Sequence, residues 1–305
     1  MIEIINVPLD SELILHEPSH KYFYNGDVLK ESISNVSSQC DFSSFAMPRD
    51  WSARVTSESV RRLLQQENPA PKEAPNGLES DFRYNEEQID FIVESARVSP
   101  KLEGDTARFI GNLFHKYVQA HCDLKIYAAS EIELNAAYEM TGFEKIKNEI
   151  AESPYTKQAS ICAANLCKFV DANLTPIKTE LKLLYKPDLG GAYIPGSCDL
   201  VAMFEGNLTV VDWKGVKRFE GIKNSHLGQL FAYSEALLQC GNPIETMLLV
   251  RINRNNGKII ANKFRFQKVR EVLKPLFEAA ILISRFSAPI NRVVKLQPQV
   301  DTVLR

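Results

Sequence analysis

The segment Gly196-Ser-Cys-Asp199-Leu-Val-Ala-Met-Phe-Glu-Gly-Asn-Leu-Thr-Val-Val-Asp212-Trp-Lys214 gathers the residues of this chain best suited to chemistry. Two short apolar runs flank Glu205-Gly206-Asn207, the pattern of a β-hairpin. Each run carries one carboxylate near an end, and a lysine stands two residues beyond the second. Side chains alternate along a strand, so Asp212 and Lys214 share a face while Trp213 points the other way. Two acids and an ammonium on one patch suit metal-assisted phosphodiester hydrolysis. The carboxylates would hold a hard divalent cation, and the lysine would favour a hydroxide-like attacking water. Blander readings compete: a turn acid at Asp199, a salt-bridged acid at Asp212, a solvated strand-end lysine at Lys214. Asp212, however, follows Leu-Thr-Val-Val, where an unpaired buried carboxylate is costly, and a bound cation offsets that cost.

The elements that must hold these residues change character along the chain. His20-Lys-Tyr-Phe-Tyr-Asn25-Gly26-Asp reads as a hairpin around Asn25-Gly26. Residues 51–66 look helical, and the Pro-rich stretch 68–77 reads as a loop. Amphipathic helices are expected over 85–123, 135–152 and 158–172. A strand then spans Thr179–Tyr185, followed by a Gly190-Gly191 turn and the hairpin above. A helix over Ser225–Cys240 stops at Gly241, a favourable C′ residue. A second hairpin pairs Glu245–Asn253 with Lys258–Phe266 through Asn256-Gly257, and a last helix covers 267–286. The order strand, strand, strand, helix, strand, strand, helix predicts an α/β fold, a mixed sheet with helices packed on it. The boundaries drawn from this pattern are a hairpin-and-helix accessory region over 1–100, a core over 101–290 and a tail over 291–305.

Bulk properties narrow the classes. A chain of 305 residues with 45% hydrophobic and 24% charged content has the composition of a soluble globular protein. No apolar run approaches a membrane span, and the start lacks a basic region followed by an apolar one. A cytoplasmic location without membrane contact is the expectation. The six cysteines form no Cys-x-x-Cys pair and read as reduced, buried thiols. The net charge of −2 means that any nucleic-acid surface must be local. Lys217, Arg218 and Lys223, just past Lys214, supply such a local surface and could bind phosphates; a solvated basic loop is the alternative. Gln229 and Tyr233 lie one helical turn apart on a shared face, with His226 a turn earlier.

The ordered set His115, Gly196-x-x-Asp199, Asp212-x-Lys214 and Gln229-x-x-x-Tyr233 resembles the PD-(D/E)XK nuclease superfamily. In particular it resembles the branch with the RecB nuclease domain, the mitochondrial genome maintenance exonuclease and phage exonucleases. His20-x-Tyr-x-x-x-Gly26, running on to Cys40-Asp41-Phe42, looks like the lead-in of those phage enzymes. The likeness covers about Glu103 to Phe286. It implies a restriction-endonuclease-like core behind a mainly helical N-terminal region, and a metal-dependent deoxyribonuclease. The expected class is an exonuclease acting in DNA replication, repair or recombination, phage-encoded or bacterial. The alternatives are a structure-specific or RNA-directed endonuclease and a binding subunit that no longer cleaves.

By this resemblance His115, Asp199 and Asp212 are the metal ligands for one or two Mg²⁺ or Mn²⁺ ions. The imidazole tilts preference toward Mn²⁺. Gly111, one turn before His115, would let another backbone come close. Lys214 either aims the water or stabilises the pentavalent transition state. Glu180 supports the metal site or its surroundings, with a plain surface glutamate as the competitor. Gln229 contacts DNA or the lysine, and Tyr233 positions the strand. Arg108, with Trp51, Arg54, Arg61 and Arg62, would channel a single strand. Two departures stand out: the second acid is Asp212 where Glu is common, and the four cysteines of cluster-bearing relatives have no counterpart, so no iron–sulfur cluster is expected.

Overall fold

The computed structural model describes residues 13–16, 21–24, 27–29, 31–40, 86–130 and 134–296. Two compact units divide the chain: Met1–Asp41 together with Gly111–Arg305, and Phe42–Ile110. The order of predicted elements puts a boundary near residue 100. The second unit is described from Glu86 onward, as the opening part of a long helix, α2 (Glu86–Ala129). The expected helix over 51–66 and the loop over 68–77 lie outside the described residues, as do Trp51, Arg54, Arg61 and Arg62.

The first unit is built on a five-stranded sheet of β4 (Leu174–Tyr185), β5 (Ile194–Phe204), β6 (Asn207–Val216), β7 (Thr246–Asn253) and β8 (Ile259–Arg265), in that spatial order. All neighbours are antiparallel except β6 and β7. Parallel neighbours need a crossover, and α6 (Asn224–Gln239) supplies it. The mixed α/β sheet expected from the element order is therefore present. A smaller sheet of β1 (Leu13–His16), β2 (Lys21–Tyr24) and β3 (Asp27–Leu29) precedes α1 (Ile33–Ser38). Tyr24 pairs with Asp27, so β2 and β3 flank Asn25-Gly26, although those two residues are outside the described set.

Burial explains the strand patterns. Every residue of β7 is buried, as its apolar run requires for a strand covered on both faces. β8, at the edge, alternates between half-buried and exposed positions along most of its length. The core joins Ile33 and Val36 of α1, and Cys40 just past it, to Leu181, Leu183 and Tyr185 of β4, Phe231 and Tyr233 of α6, and Phe277 and Ile281 of α7 (Phe266–Leu296). The hairpin between β5 and β6 turns on Glu205-Gly206, with φ of 50° and 78°. Both residues are left-handed, as a two-residue turn of this hand needs.

Several boundaries differ from the sequence pattern. The helix expected over 135–152 is two helices, α3 (Leu134–Thr141) and α4 (Phe143–Glu152), divided by Gly142 at φ 60°. α5 runs Thr156–Asn173, and β4 starts directly after it at Leu174. α7 extends beyond 286, to Leu296. Five of the six cysteines are buried, and Cys240 is half-buried.

Candidate active site

The ladder between β5 and β6 ends at Leu200 opposite Val211. Beyond it β5 continues along β4, while β6 continues along β7 from Asp212 to Val216. The two strands part where Asp199 and Asp212 sit. A parted ladder leaves a backbone donor unpaired. Here the Asp199 carboxylate takes it: Trp213 N–H donates to Asp199 Oδ2 at 2.8 Å. The fork thus fixes Asp199 beside the neighbouring strand and leaves its other oxygen for other work.

Asp212 is fully buried, and Lys214, two residues on, reaches back along the same face as strand alternation predicts. Lys214 Nζ donates to Asp212 Oδ1 at 3.0 Å and to Gln229 Oε1 at 3.0 Å. Gln229 Nε2 in turn donates to Tyr233 Oη at 2.7 Å. The helical pair and the strand pair therefore join in one hydrogen-bonded chain. Gly196 belongs to the same construction, since a Cβ there would lie 2.7 Å from Tyr233 Cε1.

His115, on α2, closes the group: its Nδ1 is 3.8 Å from Asp199 Oδ2. Gly111 is not what admits its helix, because a Cβ at Gly111 would meet nothing within 4 Å. The close approach is at Gly215 of β6, where a Cβ would come within 3.1 Å of the Phe114 ring. A glycine directly after Lys214 was the available sequence signal for this contact.

Burial and neighbouring charges set the protonation states. Burial pushes Asp212 up to about 6, with Lys214 opposing the rise and Asp199 adding to it. Burial also raises Asp199, against Lys214 and the Trp213 N–H. For Lys214 burial works against the charge, but Asp212 and Asp199 overcome it and hold the ammonium above its ordinary value. Burial, then Lys214, push His115 down to about 4, opposed by Asp212 and a hydrogen bond to the Trp213 backbone. At neutral pH Lys214 is an ammonium and His115 a neutral imidazole able to act as a ligand.

Among the described residues no group of three or more His, Cys, Asp and Glu forms a ready-made metal cage. The donors nevertheless fit a hard cation. Asp212 Oδ2 is buried and accepts no hydrogen bond, although it lies 2.9 Å from Nζ. A buried carboxylate oxygen held by the Lys214 charge, with no hydrogen bond aimed at it, keeps room for a divalent ion, a partner that suits it. Asp199 and the neutral imidazole of His115 are the donors beside it.

The remaining sequence candidates fall at different places. Glu180 lies between the Thr179–Leu200 and Leu181–Cys198 pairs, across β4 from Asp199, with φ of 44°. It is exposed, and its carboxylate accepts from Ser197 Oγ at 2.8 Å. Lys217, Arg218 and Lys223 are exposed on the loop after β6. That loop is pinned from β7: Asn253 Nδ2 donates to Lys217 O at 2.9 Å, and Arg251 Nη1 to Glu220 O at 2.6 Å. His226 opens α6, its N–H donating to Lys223 O at 3.2 Å. Arg108 belongs to the other unit, where it pairs with Asp105 at 3.2 Å. Sequence reasoning missed Ser34, whose Oγ accepts from Gln229 Nε2 at 3.3 Å.

A family model of the PD-(D/E)XK nuclease superfamily matches residues 76–287. The chain belongs to that superfamily. It is accordingly a nuclease-type phosphodiester hydrolase, and members of the superfamily generally use divalent metals. No curated protein matches it. Among solved structures, one described as "Crystal structure of SSO0001" is similar at 19% identity, over 55% of this chain and 74% of that one, with a TM-score of 0.31. No helix among the described residues is long and apolar enough to cross a membrane.

Proposed function

We propose that this nuclease is a divalent-metal-dependent deoxyribonuclease of the RecB-like exonuclease branch, acting on DNA ends in replication, repair or recombination, in a bacterial or phage-infected cell. The observation that carries the metal-dependent part is the buried Asp212 carboxylate, whose Oδ2 accepts no hydrogen bond and faces the Lys214 ammonium at 2.9 Å, beside Asp199 and His115. His115, Asp199 and Asp212 would hold Mg²⁺ or Mn²⁺. When bound, the ion polarises the scissile phosphate and lowers the pKa of an attacking water.

The chain's own residues do the rest. Asp199 is fixed by the Trp213 N–H, so it cannot swing away as charge develops. Lys214, kept protonated by the two acids, presents a fixed positive charge where the pentavalent phosphate gathers negative charge. Gln229 anchors that ammonium from the other side, and Tyr233 anchors Gln229. Glu180 holds Ser197, two residues before Asp199, and so supports β5 from the neighbouring strand. Lys217, Arg218 and Lys223 would take phosphates flanking the scissile bond. Arg108 would take phosphate further along the strand.

The test is cleavage of linear DNA with Mg²⁺ or Mn²⁺. Wild type should cut only with the ion, and Asp212→Asn and Lys214→Ala should each lose about 100-fold or more in kcat. Binding without cleavage under either ion would leave a nucleic-acid-binding subunit as the better account.

A further inference from the structure

We propose that Ser34 is a positioning residue that locks the Gln229 amide against Lys214, so that α1 completes the active site; this rests on the nuclease reading of that site. α1 is short, yet it is seated firmly. Ile33, Val36 and Cys40 are fully buried. Two glycines let the helix and the turn after it come close: a Cβ at Gly196 would lie 2.9 Å from Ile33 Cβ, and one at Gly228 would lie 2.9 Å from Sγ of Cys40, two residues past the helix. Gly228 directly precedes Gln229, so the close approach brings Ser34 to the amide.

Among the described residues the Gln229 side chain has three polar contacts. Oε1 accepts from Lys214 Nζ at 3.0 Å, and Nε2 donates to Tyr233 Oη at 2.7 Å and to Ser34 Oγ at 3.3 Å. The two N–H groups of the amide are thereby both used, and the oxygen is the end turned to the ammonium. A lysine can only donate, so a rotated amide would set N–H against the ammonium. Without Ser34 one N–H turns to water, and the amide group is left with Tyr233 alone to fix its rotation. Lys214 then keeps Asp212 but loses a fixed acceptor, and the transition state loses a fixed charge. Such a loss belongs to kcat and leaves KM alone.

The experiment uses the full chain labelled with ¹⁵N. The Gln229 side-chain amide pair is assigned by its disappearance in Gln229→Leu. Ser34→Ala should shift that pair and speed its exchange with water, while Ser34→Thr, which keeps the hydroxyl, should not. In cleavage of linear DNA with Mn²⁺, Ser34→Ala should lower kcat about threefold to tenfold at unchanged KM, the loss of one ordinary hydrogen bond. Ser34→Thr should restore it, and Ser34→Ala should cost nothing further in a Gln229→Ala background. An unmoved Gln229 pair in Ser34→Ala overturns the proposal. So does a rise in KM that adds to the Gln229→Ala loss, which would place Ser34 on the substrate. Wild type that cuts nothing with either ion overturns the nuclease reading instead, while the amide resonances judge the Ser34–Gln229 contact separately.

Discussion

Asp212 and His115 pull the stability of the ion-free protein in opposite directions. Asp212, at about 6 against an ordinary 3.8, takes up protons on folding, so its contribution falls as pH rises through that window. His115, at about 4 against 6.5, releases them, so its contribution grows from pH 4 to 6.5. Asp212→Asn removes the Asp212 part of the falling limb and leaves that of Asp199. In chelator, its Tm should climb with pH between about 4 and 6.5 more steeply than the wild-type Tm; parallel profiles would contradict the burial argument. Cation binding needs Asp212 ionised, so Mn²⁺ affinity by calorimetry should tighten as pH rises through about 6. The Asp212–Lys214 pairing was legible in the sequence because i, i+2 alternation is a local rule. The Asp199 bond to Trp213 was not, because it depends on two strands parting. Ser34 was hidden for another reason: a six-residue helix far from Gln229 in sequence leaves no periodic trace.

At the scale of elements, glycines and one buried ion cluster decide how helices meet the sheet. Gly196→Ala would drive a methyl into Tyr233 and Ile33, and overpacking of this kind costs about 1–3 kcal/mol. Urea unfolding should show that loss together with reduced cleavage, since Tyr233 carries Gln229. Across α6 and α7, the buried Glu235 takes both Nε and Nη2 of Arg270 at 2.6 Å, with Lys274 Nζ 3.4 Å away. Arg270→Ala should destabilise by about 1–3 kcal/mol, softened by Lys274, while leaving Mn²⁺ affinity unchanged. A change in Mn²⁺ affinity would mean that this cluster reaches the active site. The order of elements was legible, since strand and helix periods differ and Gly206, Gly241 and Gly257 mark the turns. Exact bounds were not: Gly142 splits what reads as one amphipathic helix, because a single left-handed residue interrupts the ladder without changing the apolar pattern.

At the scale of the whole molecule, a near-neutral chain places Asp199, Asp212 and Lys214 at a fork in one sheet and Lys217, Arg218 and Lys223 on the adjoining loop. The net charge concealed this because it averages over the surface. An enzyme that enters from ends should degrade end-labelled linear DNA in Mn²⁺ and spare closed circles; rapid loss of circles would favour an endonuclease using the same residues. The central claim is that His115, Asp199 and Asp212 share one divalent ion beside Lys214. Crystals grown with Mn²⁺ and measured at its absorption edge test it most directly. The account predicts an anomalous peak bonded to Asp212 Oδ2, Asp199 and the His115 imidazole, and gone in Asp212→Asn. Manganese absent from the fork in wild-type crystals, or bound without those three side chains, would contradict it.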